Sequence, residues 1–302
     1  MNRRSFLQAS VLAGITAQVG CKNLQNVLSG GKGLFSPAGN SMLGFADKPM
    51  PSIRVGIIGV GMRGPGHVFS LLNIPDVQIN AICDLYEKRV ARQVERVRSA
   101  GRQAPAAYFD YTGDEGDNGT LRLRDSWKKL CERDDLDLIY VCTPWLLHTP
   151  MAVWAMEHGK HVAVEVPAAL TVEECWRLVD VSEKPRRHCV MLENCCYGYN
   201  EMLMLNMCRQ GVFGDLVHGA GAYLHDLCSL KLEKGTAGYQ ARWRLEFAKQ
   251  HDGNPYPTHG LGPICKCMDI NCGDQLRFLT SVSSGVFRMP QDGAAKFGPK
   301  SS

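Results

Sequence analysis

A chain of 302 residues that is 45% hydrophobic and 21% charged has the composition of a folded globular protein, not of a disordered or fibrous one. Its 34 basic and 30 acidic residues leave a net charge of +4, too small an excess to imply a nucleic-acid partner. No uninterrupted run of about 18 apolar residues is present to build a membrane-spanning bundle. The thirteen cysteines, an odd number with no C-x-x-C pair, read mostly as small buried hydrophobes.

The chain opens with Asn2-Arg3-Arg4 and a mildly apolar stretch from Phe6 to Val19, the pattern of a signal peptide over residues 1–21. The paired arginines before Ser5-Phe6-Leu7 resemble a twin-arginine (Tat) export signal, and Cys21 after Val19-Gly20 resembles a weak lipoprotein site. The expectation is an exported bacterial protein, periplasmic or anchored to the membrane by lipid on Cys21. Residues 22–51, rich in Gly, Ser, Asn and Pro, read as a linker.

From Ser52 the pattern changes. An apolar strand, Ile53 to Ile58, runs into Gly59-Val60-Gly61-Met62-Arg63-Gly64 and a helix from about Pro65 to Leu72. This is G-x-G-x-x-G in the strand-turn-helix setting that it needs. The first glycine turns the chain, the second admits a pyrophosphate to the backbone, and the third lets helix pack on strand. A second strand, Val77 to Cys83, ends in Asp84, twenty residues after Gly64, where a carboxylate accepts the ribose hydroxyls of a dinucleotide. Aspartate there favours NAD over NADP, although Arg63 and Arg89 leave room for a phosphate.

Alternation continues with a helix Glu87–Ser99, a polar loop Gly101–Thr120, a short helix Asp125–Cys131 and a strand Leu138–Cys142. A helix Pro150–His158, a strand His161–Val164, a helix Val172–Ser182 and a strand Cys189–Leu192 follow. This order predicts a doubly wound parallel sheet over residues 52–196. Residues 197–302 read as a partial second domain: a helix Glu201–Cys208, a strand-like Asp215–Tyr223, a charged loop, a Tyr256–Gly260 loop and a helix Gly262–Asn271. The fold class is α/β, a Rossmann sheet followed by an incomplete α/β domain with an open sheet. Cys265, Cys267 and Cys272 near His259 invite a zinc reading, but C-x-C on a helix points its sulfurs to different faces and no second pair exists, so no metal is expected.

The strand-GxGxxG start, the Cys142-Thr143-Pro144 strand end and Glu165-Val166-Pro167 resemble the Gfo/Idh/MocA oxidoreductases. Pro144-Trp145-x-x-His148-Thr149-Pro150, Glu193-Asn194-Cys195-Cys196-Tyr197 and Tyr256-Pro257-Thr258-His259-Gly260-Leu261-Gly262-Pro263 resemble one branch, glycoside hydrolase family 109, the NAD-dependent alpha-N-acetylgalactosaminidases. The resemblance covers about Ser52 to Ser302, and members continue further, so the chain reads as a truncated member whose full-length form is a homo-oligomer.

What the resemblance implies is a glycosidase (hydrolase) acting on an amino-sugar glycoside through transient oxidation at C3, proton removal at C2, departure of the C1 group, water addition and re-reduction. Ordinary superfamily members place a lysine where Val166 stands, so a simple dehydrogenase would lack its usual acid/base. Carried over position by position, Gly59, Gly61, Met62, Arg63, Gly64, Asp84, Trp145, Leu146, Leu147, His148, Glu165, Val166 and Asn194 would hold NAD. Tyr223, Arg244, Tyr256, Pro257, Thr258 and His259 would hold the sugar. Tyr197 is the expected base at C2, His259 the proton shuttle and Glu165 an accessory carboxylate. Because a phenol needs a cationic or hydrogen-bonding neighbour to act as a base near neutrality, Arg244 or the nicotinamide is assigned that part. A sugar or polyol dehydrogenase of the same superfamily, or an inactive remnant, are the alternatives.

Overall fold

A computed structural model describes residues 41–298 apart from 43, 114–123, 234–238, 240, 241, 252 and 256. The readings made for residues 1–21, for Cys21, for most of 22–51 and for Tyr256 lie outside the described residues. The chain forms two compact units: a larger one from 39–193, 224–256 and 285–302, and a smaller one from Asn194–Tyr223 and Pro257–Ser284.

The larger unit is a sheet of β1 (Ile53–Ile58), β2 (Val77–Cys83), β3 (Ala106–Tyr108), β4 (Leu138–Val141), β5 (His161–Val164) and β6 (Cys189–Met191). The strands lie in the order β3-β2-β1-β4-β5-β6 and every pairing is parallel. That is the doubly wound Rossmann order, whose reversal point lies between β1 and β4. The crossovers are α1 (Gly64–Leu72), α2 (Glu87–Ser99), α3 (Ser126–Cys131), α4 (His148–Glu157) and α5 (Val172–Glu183). β3 falls inside the segment expected to be a polar loop. Its Ala106-Ala107-Tyr108 is too short for a periodicity signal, and it is set by pairing with Ala81, Ile82 and Cys83 of β2.

Two apolar cores form because strand residues alternate between faces. Val55 and Ile57 of β1 pack with Val68 and Leu71 of α1 and Val90 and Val97 of α2. Ile58 joins Ile139, Val141, Met151 and Met156 in the other core, with α3, α4 and α5. Each fully buried aliphatic side chain contributes about 1.5–3 kcal/mol, so these layers fix the sheet and, with it, the strand ends that carry the site. Arg54 ties β1 to the entry of β4 through Asp137, with contacts of 2.9 and 2.6 Å. The segment 224–256 belongs to this unit through α7 (Cys228–Leu232) and α8 (Trp243–Gln250). Trp243 and Phe247 of α8 each meet the Trp145 ring edge-on at 5.0 Å. The last helix of the unit, α10 (Arg288–Phe297), pairs with α7 through Asp292 and Cys228.

The smaller unit consists of a short 3-10 turn Asn194–Cys196, α6 (Tyr199–Arg209) and α9 (Pro257–Cys267). Two expectations change here. Asp215–Tyr223 forms no strand among the described residues, and the expected open sheet is absent from them; the segment instead runs along α9. A Cβ on Gly221 would lie 2.4 Å from the Gly260 carbonyl oxygen and one on Gly219 2.7 Å from Ile264, so the small residues that resembled a strand centre serve a close helix contact. α9 starts at Pro257, not at Gly262, because proline is pre-set for a first helical position. Thr258 and His259 therefore stand in the first turn of a helix and not on a loop.

Candidate active site

In the larger unit the glycine loop is pinned at both ends. Gly59 donates its N–H to Cys83 O at 2.8 Å and has φ +91°. A Cβ there would sit 2.6 Å from Cys142 O, and one on Gly64 2.0 Å from Gly59 O. No side chain of ordinary size fits either position. α1 begins with no side-chain cap and no acidic residue in its first turn, which leaves the positive end of the helix for an anion.

Asp84 closes β2 as the spacing requires, and it is bound into the loop: Oδ2 accepts the Val60 N–H at 2.8 Å and Oδ1 lies 3.8 Å from the Arg89 guanidinium. Only 8% of the residue is exposed. Burial pushes its carboxyl above the usual range despite Arg89 and the loop N–H groups.

At the ends of β4 and β5 the structure reveals a contact that spacing did not suggest. Glu165 Oε1 accepts from Arg63 Nε at 3.2 Å and faces His67 Nε2 at 2.5 Å, while Oε2 accepts the Val166 N–H at 3.3 Å. Burial raises the Glu165 carboxyl, but His67 and Arg63 together outweigh it and hold the group below the usual carboxylate range. His67 stands one turn beyond Gly64 on α1, with its ring 5.5 Å from that of Tyr140. The signal was a histidine on the face of α1 next to a glycine loop, and it carries no motif.

His148 was expected to touch a cofactor. Its ring is 1% exposed, with Nδ1 2.7 Å from Pro167 O and Nε2 2.7 Å from Thr143 O. Burial lowers its pKa in spite of these two carbonyls. With one N–H, the neutral imidazole donates to one of these two carbonyls, and the ring is enclosed between the loop after β4 and the loop after β5. Arg244, expected to hold the sugar, is 7% exposed. Its guanidinium is layered between Trp145, 4.6 Å from the ring centre, and Tyr239, 5.0 Å, and it donates to Tyr239 Oη at 2.5 Å. An arginine so placed fixes Trp145, itself 5% exposed. Met62 and Leu146 are half exposed, Leu147 is partly buried and Val166 is buried.

In the smaller unit Tyr223 meets His259 edge-on at 4.8 Å. Thr258 Oγ1 is buried with no hydrogen-bond partner among the described residues, Pro257 is exposed, and Asn194 is exposed in the 3-10 turn. Tyr197 is 60% exposed, and Lys266 Nζ lies 3.9 Å from its ring centre. The cation beside Tyr197 within this unit is therefore Lys266, a residue that the sequence reading passed over. It follows His259 by seven positions, two helical turns, and so stands on the same face of α9.

Two family models cover the described structure. One, the oxidoreductase family with an NAD-binding Rossmann fold, matches residues 53–193; the other, the glycosyl hydrolase 109 C-terminal domain, matches residues 197–296. An alpha-N-acetylgalactosaminidase of Bacteroides fragilis is 46% identical over 267 residues, 88% of this chain and 60% of that protein. A glycosyl hydrolase family 109 protein of Solibacter usitatus is 44% identical over 286 residues, 94% of this chain and 59% of its own length. The chain belongs to glycosyl hydrolase family 109. It spans about three-fifths of the length of these curated relatives. Among solved structures, a myo-inositol 2-dehydrogenase of Lactobacillus plantarum is 22% identical, with a TM-score of 0.43 over 55% of this chain and 43% of that one.

The first unit of this family 109 chain is an NAD-binding Rossmann domain, and its residues fit the dinucleotide. The cradle that a Cβ would fill at Gly59 and Gly64, the uncapped start of α1 and the carboxylate at the end of β2 are what a pyrophosphate and a ribose require. Gly59 to Gly64 would hold the phosphates and Asp84 the ribose, with Arg89 beside it as a further donor.

Proposed function

We propose that this chain carries the cofactor-binding and part of the sugar-binding machinery of an NAD-dependent glycosidase that hydrolyses terminal alpha-N-acetylgalactosaminides. The observation that carries the reading is the 46% identity to the Bacteroides fragilis enzyme over 88% of the chain. Val166, where the resembling dehydrogenases carry lysine, supports it further.

NAD, when bound, supplies a temporary hydride acceptor for the sugar C3 hydroxyl, which makes the neighbouring C2 proton acidic. Tyr197 takes that proton, with the Lys266 ammonium supplying positive charge beside the phenol. His259, steadied by Tyr223, moves the proton that the leaving group needs. Thr258 Oγ1, buried without a protein partner among the described residues, is available to a sugar hydroxyl. Glu165 stays ionised, held by His67 and Arg63, as an accessory carboxylate.

The test is hydrolysis of p-nitrophenyl alpha-N-acetylgalactosaminide in D₂O with catalytic NAD. Release of p-nitrophenol, deuterium at C2 of the freed sugar and no net NADH support the glycosidase. NADH accumulating mole for mole with a keto sugar supports a dehydrogenase, and neither product overturns both. The chain is further proposed to be exported under the direction of Arg3-Arg4, to stay periplasmic or to be anchored by lipid on Cys21. Changing both arginines to lysine then retains it in the bacterial cytoplasm, and unaltered export overturns the assignment.

A further inference from the structure

The sheet of the larger unit sorts the two halves of a dinucleotide by position. In a doubly wound sheet the cofactor lies across the crevice at the reversal point, here between β1 and β4. Asp84, at the end of β2, would hold the adenosine ribose, so the nicotinamide half falls on the opposite side, over the ends of β4 and β5. Glu165 is the first residue after β5 and brings a carboxylate to that side. The residue is 9% exposed.

The donors that fix this carboxylate come from the glycine loop, from α1 and from its own backbone. Oε1 accepts from Arg63 Nε and His67 Nε2, and Oε2 accepts the Val166 N–H. Three donors aimed at one carboxylate favour its charged form against burial. The titratable groups around it add no charge of their own. Burial keeps the Cys142 thiol at the end of β4 and the His148 ring on α4 neutral, both of which feel the Glu165 charge. It also raises the Tyr140 phenol, whose ring faces that of His67. Arg63 is a cation, but its side chain is 57% exposed against 11% for Glu165, so water screens the guanidinium more than the carboxylate.

The two redox forms of the cofactor differ in charge at the nicotinamide ring, which is a cation in oxidised NAD and neutral in NADH. From the placement of the carboxylate we infer that Glu165, fixed by His67 and Arg63, sets the redox preference of the cofactor site, favouring the oxidised nicotinamide over the reduced one. His67 is a positioning residue in this arrangement, since it touches Glu165 and acts through it. Each tenfold by which the oxidised form is favoured lowers the potential of the bound two-electron couple by about 30 mV. Bound NADH becomes the stronger hydride donor to the same extent. The inference rests on the NAD-binding Rossmann assignment of this unit and not on the glycosidase reading.

The test is calorimetric titration of the 302-residue chain with NAD, NADH and ADP-ribose, the last of which keeps the adenosine, pyrophosphate and second ribose but has no nicotinamide. Glu165→Gln removes the charge and keeps the shape. It should weaken NAD relative to NADH by about tenfold and leave ADP-ribose binding unchanged. His67→Ala takes away a bond that opposes the effect of burial on Glu165, so its preference for NAD over NADH should decline as pH is lowered from about 8 to about 5. His67→Gln, which restores a donor, should keep the preference of the parent chain across that range. A preference unmoved by Glu165→Gln or by His67→Ala overturns the inference. An equal loss of NAD, NADH and ADP-ribose in Glu165→Gln also overturns it, because the carboxylate would then support the loop and not the ring charge. A parent chain that binds none of the three refutes the cofactor site, and the inference falls with it.

Discussion

His67 Nε2 lies 2.5 Å from Glu165 Oε1 although 98 positions separate them. The pair joins the helix that follows the glycine loop to the end of β5, and it leaves a mostly buried carboxylate ionised. Because the Glu165 carboxyl is held low, its stabilising contribution is present above the unfolded value near 4.3 and is lost as pH falls through the lower folded value. His67→Ala should therefore cost about 1–3 kcal/mol at pH 7, with the deficit shrinking as pH falls through the lowered folded value of Glu165 and the carboxyl takes up its proton. Urea unfolding across a pH series from 7 downward measures it, and a deficit that does not change with pH removes the charge from the account.

Asp84 behaves in the opposite sense. Its carboxyl is held above the usual range by burial, so the protonated form is favoured on folding, and stability is lost as pH rises through the folded value. Asp84→Asn should leave the unfolding midpoint at neutral pH unchanged or higher, while weakening NAD by about 1–3 kcal/mol, the range for hydrogen bonds to a charged group. Calorimetric titration with NAD, run beside thermal unfolding, reads both. Unchanged NAD affinity takes Asp84 out of the cofactor site.

Two glycines on one helix provide a paired test of the cradle. A Cβ on Gly64 would fall 2.0 Å from Gly59 O, whereas one on Gly66 meets nothing within 4 Å. Gly64→Ala should destabilise the chain by more than about 3 kcal/mol or prevent folding. Gly66→Ala, inside α1, should stabilise it by about 0.4–1 kcal/mol. Denaturant midpoints of the two variants decide this, and similar effects would contradict the loop geometry.

Lys266→Met removes the charge from the face of Tyr197 while keeping much of the side chain's bulk. The rate of deuterium exchange at the sugar C2 should fall by about tenfold or more, with NAD affinity unchanged. An unaltered exchange rate would assign the cation at Tyr197 to another group.

Much of the larger unit was legible because its signals are local. The alternation of apolar residues in Ile53–Ile58 and Val77–Cys83, the glycine spacing and Asp84 each describe a short window, and a strand or a tight turn is decided within such a window. The helix Glu87–Ser99 was bounded to the residue for the same reason. The pattern misled where residues of one composition serve either of two neighbours. Gly219-Ala220-Gly221-Ala222 reads as a strand centre, but its small side chains answer to the backbone of α9, a partner that the window does not contain.

By itself, then, the sequence determined the parallel Rossmann sheet, the dinucleotide loop and the family motifs, because periodicity and glycine conformation act over a few residues. Only the tertiary structure decided what each polar side chain does. It enclosed His148 between two backbone carbonyls, buried Arg244 between Trp145 and Tyr239, brought His67 to Glu165 and set Lys266 over Tyr197. The reason is physical: hydrogen bonds, ion pairs and ring contacts depend on distances of a few ångströms between groups tens of positions apart, and packing around the folded sheet and helices sets those distances.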